Sequence, residues 1–128
     1  MRIVRSTDLD YVPASHEDPN KPGVLKRVLA TKEQMLDGRP QMINWARLPV
    51  GSSFKLHYHE DMEESFIIIS GHAEMRVDNE LHTLQRGDML VVSPGEQHDM
   101  ANVGETDVEY VVIGVSLGKG GKTVVVDA

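Results

Sequence analysis

Hydrophobic and polar residues alternate over short stretches along most of the chain, and turn-forming residues separate the stretches. A period of two places one set of side chains in a core and the other in solvent, which is typical of β-strands. The pattern predicts strands over residues 24–30, 41–48, 53–59, 63–70, 72–77, 80–85, 89–92, 98–102 and 108–116. Strands at such short intervals, with hardly any helix between them, predict an all-β sandwich or barrel.

The two ends of the chain are less regular than its middle. Residues 1–23 contain a short strand candidate, Arg2 to Ser6, and then a proline-rich segment that we interpret as an irregular arm. Within residues 31–34 a threonine and a glutamine suit a capping box, but turn residues follow at once, and we interpret this segment as a loop. We therefore expect a barrel over residues 24–118, followed by a tail, 119–128, that adds an edge strand to this chain or to a neighbouring subunit.

Composition narrows the classes of function. A chain of 128 residues can bury the core of one domain and needs no second one. Its formal charge of −7, with 13 scattered lysines and arginines, opposes binding to nucleic acid or to an anionic membrane. Because there is no cysteine, no apolar signal sequence and no long apolar run, we expect a cytoplasmic protein without disulfides or a membrane span.

Residues that can bind a metal concentrate in the segment 51–71, GSSFKLHYHEDMEESFIIISG. His57 and His59 are two residues apart, so in a strand their imidazoles point to the same side and can share one ion. A carboxylate from the next strand can supply a third ligand, and His98 a fourth. Nitrogen and oxygen donors of this kind suit divalent Mn, Fe, Co, Ni, Cu or Zn, so the pattern predicts a transition-metal site.

The same segment resembles a known family. The first conserved motif of the cupins is matched at every fixed position, by Gly51, His57, His59, Glu64 and Gly71. The second cupin motif is matched at the expected spacing by Gly87, Gly95, His98 and Asn102. One position departs from the family, because Ser93 stands where a proline is expected and Pro94 follows it.

The resemblance implies a jelly-roll barrel, the double-stranded β-helix, around a divalent ion held by His57, His59, Glu64 and His98. Glu63 is the rival of Glu64 for the carboxylate position, and the cupin spacing favours Glu64. The resemblance also implies a homodimer. The proline-rich arm, the terminal segment and an open sheet edge are the only local support for that expectation.

Other polar residues are candidates for roles beside the metal. In a regular strand Lys55 shares the face of the two histidines and needs an exit to solvent, at the mouth of the barrel or through a bulge. Lys55, Glu63 and Gln97 are the nearest candidates for catalysis, whereas His16 is interpreted as a solvated loop residue. Periodicity does not decide which face of residues 41–48 lines the interior, because both faces mix polar and apolar residues.

The predicted function is chelation of a small, oxygen-rich anionic or enolic ligand by the metal. Four protein ligands around an ion that prefers octahedral geometry leave two adjacent positions for a bidentate molecule such as a 2-oxo acid, an enolate, a catecholate or a sugar acid. The chemistry expected there is dioxygenation, or isomerisation or epimerisation through an enolate. The alternative is a module that binds a sugar, an organic acid or a metal without turnover, since one fold hosts many functions.

Overall fold

The chain is seen in a computed structural model, which describes residues 1–2, 4–36, 39–118 and 122–126. Two short 3-10 helices, Ser6–Asp8 and Lys32–Gln34, accompany the strands. The strands are β1 (Val12–Pro13), β2 (Leu25–Thr31), β3 (Pro40–Leu48), β4 (His57–His59), β5 (Met62–Ser70), β6 (His72–Val77), β7 (Glu80–Gln85), β8 (Met89–Val92), β9 (His98–Asn102), β10 (Val108–Ser116) and β11 (Thr123–Val125).

The strands form two antiparallel sheets that pack face to face. One sheet has the order β1-β2-β3-β10-β5-β8 and the other the order β11-β4-β9-β6-β7. Inward side chains of both sheets make the core, and the largest of the fully buried apolar ones are Leu48, Ile68, Met75 and Met100. This architecture confirms the predicted all-β sandwich. No helix in the described part of the chain is long and apolar enough to cross a membrane.

The predicted strands from residue 63 onward agree with the structure to within one residue, and three earlier predictions need correction. The strand predicted over 53–59 is regular only in β4, because the chain leaves the sheet before His57. At the N-terminus the described residues of the Arg2 to Ser6 segment form no strand. The loop interpretation of residues 31–34 is wrong, because Lys32–Gln34 form a 3-10 turn that the amide of Met35 closes with a hydrogen bond of 3.3 Å to the carbonyl of Lys32. The amide of Thr31 caps this turn by donating a hydrogen bond of 3.0 Å to Gln34 Oε1.

The structure decides which face of β3 lines the interior. Asn44, Ala46 and Leu48 are buried between the sheets. Trp45 lies on the opposite face, where its indole Nε1 donates a hydrogen bond of 3.2 Å to Glu109 Oε1. This face of β3 therefore lines the interior, and Met42, Asn44 and Ala46 line the cavity described below.

The N-terminal arm is folded against the barrel rather than solvated. The buried carboxylate of Glu17 accepts hydrogen bonds from the backbone amides of Gly23 (2.6 Å) and Lys55 (3.0 Å). These bonds place His16 against the barrel, with its ring centroid 4.2 Å from that of His57. The interpretation of His16 as a solvated loop residue is therefore wrong, since the neighbouring Glu17 binds the amide of Lys55, 38 residues further along the chain, and holds the arm in place.

The C-terminal strand β11 pairs with β4 of its own chain. Thr123 lies opposite His59, and Val125 lies opposite His57. This strand is the edge strand predicted for the tail, whereas residues 119–121, which precede it, lie outside the described residues. The homodimer stays a prediction.

Candidate metal centre

Both sheets contribute to one cluster of four buried side chains. β4 carries His57 and His59, β9 carries His98 directly opposite His57, and β5 carries Glu64. One ligand atom from each residue lies within 4.8 Å of the others. The structure thus brings together the four residues that the sequence nominated as metal ligands.

Backbone carbonyls fix the orientation of two imidazoles. The Nδ1 atom of His57 lies 2.6 Å from the carbonyl oxygen of Lys55, and Nδ1 of His98 lies 2.9 Å from that of Glu96. A carbonyl oxygen can only accept, so Nδ1 carries the proton in both rings. The Nε2 atom of each neutral ring therefore keeps its lone pair, which is the form that binds a metal.

The distances between the Glu64 carboxylate and the imidazoles indicate whether a cation fits this cluster. Its Oε1 atom lies 2.6 Å from Nε2 of His59 and 3.1 Å from Nε2 of His98. A neutral His98 ring, with its proton on Nδ1, turns a lone pair toward an oxygen that is also an acceptor. Only a proton or a metal ion between the two atoms relieves that repulsion, so the donor set fits a divalent cation.

The protonation states of the cluster also suit a metal. Burial by itself would raise the pKa of Glu64, but the close imidazoles of His59 and His98 outweigh it and lower the pKa to about 2. Burial, with the neighbouring imidazoles of His98 and His16, lowers the pKa of His57 to about 3. At neutral pH Glu64 is therefore ionised and His57 is neutral, as metal ligation requires.

A cavity of about 480 Å³ lies beside the cluster. His57, His59 and Glu64 line it together with apolar side chains, among them Phe54 and Phe66. A small molecule that enters this cavity meets the candidate metal ligands directly. Concave, largely apolar sites with a few convergent polar groups are the usual form of small-molecule sites in proteins.

Several polar residues of the cavity were missed by the sequence reasoning. The cavity is also lined by His16, Lys26, Asn44, Tyr110 and Thr123. Burial raises the pKa of Tyr110, so its phenol is neutral and can donate a hydrogen bond. Alternation along β10 placed Tyr110 on one face of a strand, but only the pairing of the strands shows that this face meets the cavity.

The three residues named as catalytic candidates lie outside the cavity. Lys55, Glu63 and Gln97 are all exposed. Glu63 and Gln97 each precede a buried ligand in a strand, so alternation turns them outward. Lys55 lies in the irregular segment before β4 and is exposed to the solvent.

The departure from the second cupin motif leaves the candidate metal ligand His98 in place. Ser93 and Pro94 lie in a turn closed by a hydrogen bond of 3.1 Å from the amide of Glu96 to the carbonyl of Ser93. The amide of Gly95 donates a bond of 2.7 Å to the carbonyl of His59. This bond ties the turn to the strand that carries two ligands, and His98 keeps its register opposite His57.

The fold and the cluster together define a double-stranded β-helix protein with a candidate centre for a divalent metal. The family model described as "Cupin domain" matches residues 44–114, more than half of the chain. The chain belongs to the cupin family.

Individual relatives agree with this assignment. The oxalate-binding protein of Thermotoga maritima is 29% identical over 111 residues, which cover 87% of this chain and 91% of that protein. A crystal structure of a predicted oxalate decarboxylase from Thermotoga maritima is 28% identical, with a TM-score of 0.81 over 91% of this chain and 100% of that one. The polyketide cyclase RemF from Streptomyces resistomycificus shares the fold, with a TM-score of 0.80 at 14% identity over 100% of this chain and 87% of that one.

Proposed function

We propose that the chain binds a small bidentate anion of the oxalate or 2-oxo acid class at a divalent metal ion held by His57, His59, Glu64 and His98. The observation that carries this proposal is the acceptor pair formed by Nε2 of His98 and Oε1 of Glu64, 3.1 Å apart in a buried site. A divalent ion relieves the repulsion there and keeps a net charge of +1 after one carboxylate has bound. That charge favours an anionic oxygen ligand.

The relatives support the same class of ligand. One relative is named an oxalate-binding protein, and one solved structure is described as a predicted oxalate decarboxylase. Oxalate presents two oxygens that can occupy adjacent positions of one ion, as the open side of a four-ligand site requires. The cavity beside the cluster gives such an anion access to the ion.

Calorimetric titration with oxalate tests the proposal. Protein loaded with one equivalent of Zn²⁺ is expected to bind oxalate, whereas protein stripped of metal is expected to bind it at least about a hundredfold more weakly. The variant His98→Ala should lose metal-dependent binding, and His82→Ala, which changes an exposed histidine, should keep it. Equal oxalate binding with and without metal would contradict the proposal.

A second candidate function is turnover of the bound anion, by isomerisation, epimerisation or dioxygenation. The observation that favours proton-transfer chemistry is the presence of His16 and Tyr110 in the wall of the cavity. A bound divalent ion would polarise a carbonyl oxygen as a Lewis acid. His16 lies against His57, where its ring could accept a proton from a ligand carbon beside that carbonyl.

Proton exchange separates turnover from binding alone. Protein loaded with Zn²⁺ is incubated with 2-oxobutanoate in D₂O, and the C3 protons are followed by NMR. Protein-dependent exchange that is lost in His16→Gln would support proton-transfer catalysis. Metal-dependent binding without exchange would instead support a module that binds the anion without turnover. Oxygen consumption by the iron-loaded protein tests dioxygenation separately.

A further inference from the structure

The outer face of the six-stranded sheet is apolar, although water would favour polar side chains there. Strand register aligns two rows of side chains across β3, β10, β5 and β8. The first row contains Trp45, Val111, Ile67 and Met89. The second row contains Ile43, Ile113, Ser65 and Val91. We call these eight residues the outer patch, and none of them carries a charge.

The outer patch faces away from the core. Alternation turns its residues outward, because their neighbours along the strands, among them Ala46, Phe66 and Val112, are buried between the sheets. Met89 and Val91 are 60% and 42% exposed. Contiguous apolar patches on the surface of a folded chain mark interaction sites.

The other sheet provides a comparison within the same chain. On its outer face Arg76 of β6 lies opposite Asp99 of β9, and Glu74 lies opposite Ala101. The Nε atom of Arg76 donates a hydrogen bond of 3.2 Å to Asp99 Oδ1. An antiparallel sheet with one face in water normally carries such polar residues on that face. The six-stranded sheet departs from this rule, so its outer face is suited to contact with protein.

The charges beside the outer patch are balanced within the chain. Arg47 Nε donates a hydrogen bond of 2.7 Å to Asp107 Oδ2, and Glu109 Oε1 accepts one of 3.2 Å from Trp45 Nε1. Arg27 lies opposite Trp45 on β2 and adds a second guanidinium group. Two cations and two anions leave this border without net charge, although the formal charge of the chain is −7. A second copy can therefore approach this face without the like-charge repulsion that a net charge produces.

The sheet face is large enough for a stable dimer. Its five neighbouring strands from β2 to β8 span about 20 Å, and the nine-residue strands β3, β5 and β10 are ~30 Å long. The face therefore covers roughly 600 Å² before the relief of its side chains is counted. A standard interface buries about 800 Å² of accessible surface on each partner. The sheet face alone can supply an interface of that class.

We propose that the outer patch is the interface of a homodimer, in which the patch of one copy packs against the same patch of its partner about a twofold axis. A neutral apolar surface is complementary to itself, as such an isologous contact requires. The interface is a sheet face, whereas the sequence offered the proline-rich arm, the terminal segment and an open sheet edge as support for a dimer. The contact lies on the opposite side of β3, β5 and β10 from the cavity, so it goes beyond the proposed function.

Light scattering coupled to size-exclusion chromatography tests the interface on the full chain. At about 50 μM the natural sequence should have twice the chain mass of 14.2 kDa. Val111→Lys places a charge at the centre of the patch, where a contact would bury it without a partner. We expect its dissociation constant to rise at least about a hundredfold, so that it elutes with the mass of one chain.

Two further variants separate loss of the interface from loss of the fold. Ala101→Lys places the same charge on the outer face of the other sheet, opposite Glu74, and should stay dimeric. The double variant Met89→Lys with Val91→Lys changes two exposed residues of the patch, which the fold tolerates, and should weaken the dimer in the same direction. Far-UV circular dichroism that matches the natural sequence shows that each variant is folded.

The outcomes decide the assignment. A dimer that folded Val111→Lys or the double lysine variant loses and Ala101→Lys keeps would support it. A natural sequence that is monomeric at this concentration would overturn it and leave the patch to a different protein or a lipid surface. A dimer that survives both substitutions in the patch, or that Ala101→Lys disrupts equally, would place the interface elsewhere and also overturn it.

Discussion

At the scale of single residues, the centre depends on what each imidazole binds with its Nδ1 atom. His57 and His98 each use a backbone carbonyl two residues earlier in the chain, so their orientation is encoded locally. His59 instead has its Nδ1 atom 3.0 Å from the hydroxyl oxygen of Thr123 on β11. The orientation of His59 therefore depends on the C-terminal strand.

Thr123 gives a prediction for metal affinity. Thr123→Val keeps the shape of a β-branched residue and removes the oxygen that holds the metal-binding tautomer of His59. Because such supporting bonds typically contribute 10–100-fold, we expect the metal dissociation constant to rise at least about tenfold. Competition with a chromogenic chelator measures it. The control is Thr83→Val in the exposed part of β7, and equal affinities in both variants would contradict the role of Thr123.

Single residues also show how far the sequence could predict the site. The four ligands follow from short spacings within two motifs, so they could be named in advance. Lys26, Asn44 and Tyr110 could not, because polar and apolar residues alternate on both faces of their strands. Strand pairing brings these three residues to one cavity. The pairing of β3 with β10 joins segments that are more than sixty residues apart in the sequence.

At the scale of elements, the barrel departs from regular alternation just before the candidate metal ligands of β4. Phe54 and His57 are three residues apart and both buried, which a continuous strand does not allow. The amide of Lys55 donates to the carboxylate of Glu17 instead of to a neighbouring strand. The sequence predicted a regular strand here because the local pattern of residues does not reveal that Glu17 in the arm binds the amide of Lys55.

The turns between strands give a prediction for stability. Gly71 and Gly87 both have positive φ, at 86° and 89°. A Cβ at Gly71 would lie 2.7 Å from the carbonyl oxygen of Asp107, whereas a Cβ at Gly87 would meet nothing within 4 Å. Either alanine substitution should cost about 1–2 kcal/mol of unfolding free energy for the left-handed conformation, and Gly71→Ala more because of the contact.

Urea denaturation of the two alanine variants measures this difference. The matched backbone angles cancel the conformational cost, so the excess loss in Gly71→Ala reports the close approach of the two chain segments. Equal losses in the two variants would show that the segment around Asp107 moves aside freely.

At the scale of the whole molecule, the buried cluster links stability to pH. In the metal-free protein the pKa of His57 is about 3, against 6.5 in the unfolded chain, and that of Glu64 is about 2, against 4.5. The unfolded state therefore binds more protons below pH 6.5. Stability is complete above that pH and falls as the pH decreases, by up to about 1.4 kcal/mol per pH unit for each proton.

Thermal denaturation of metal-free protein between pH 7.5 and 4.5 tests this linkage. The melting temperature should decrease through the range below pH 6.5, and His57→Gln should flatten the profile because it removes the group that titrates first. His82→Gln, which changes an exposed histidine, should keep the slope of the natural sequence. A melting temperature independent of pH in this range would contradict the burial of a neutral His57.

Metal content measures the central feature of the molecule most directly. Untagged protein is exposed to Mn²⁺, Fe²⁺, Co²⁺, Ni²⁺, Cu²⁺ or Zn²⁺, dialysed and analysed by elemental mass spectrometry. The buried cluster predicts about one divalent ion per chain for at least one of these metals, with occupancy lost in His98→Ala and kept in His82→Ala. If protein of the natural sequence retains none of the six ions, or if the His98→Ala variant keeps full occupancy, the assignment of a metal centre to this cluster is contradicted.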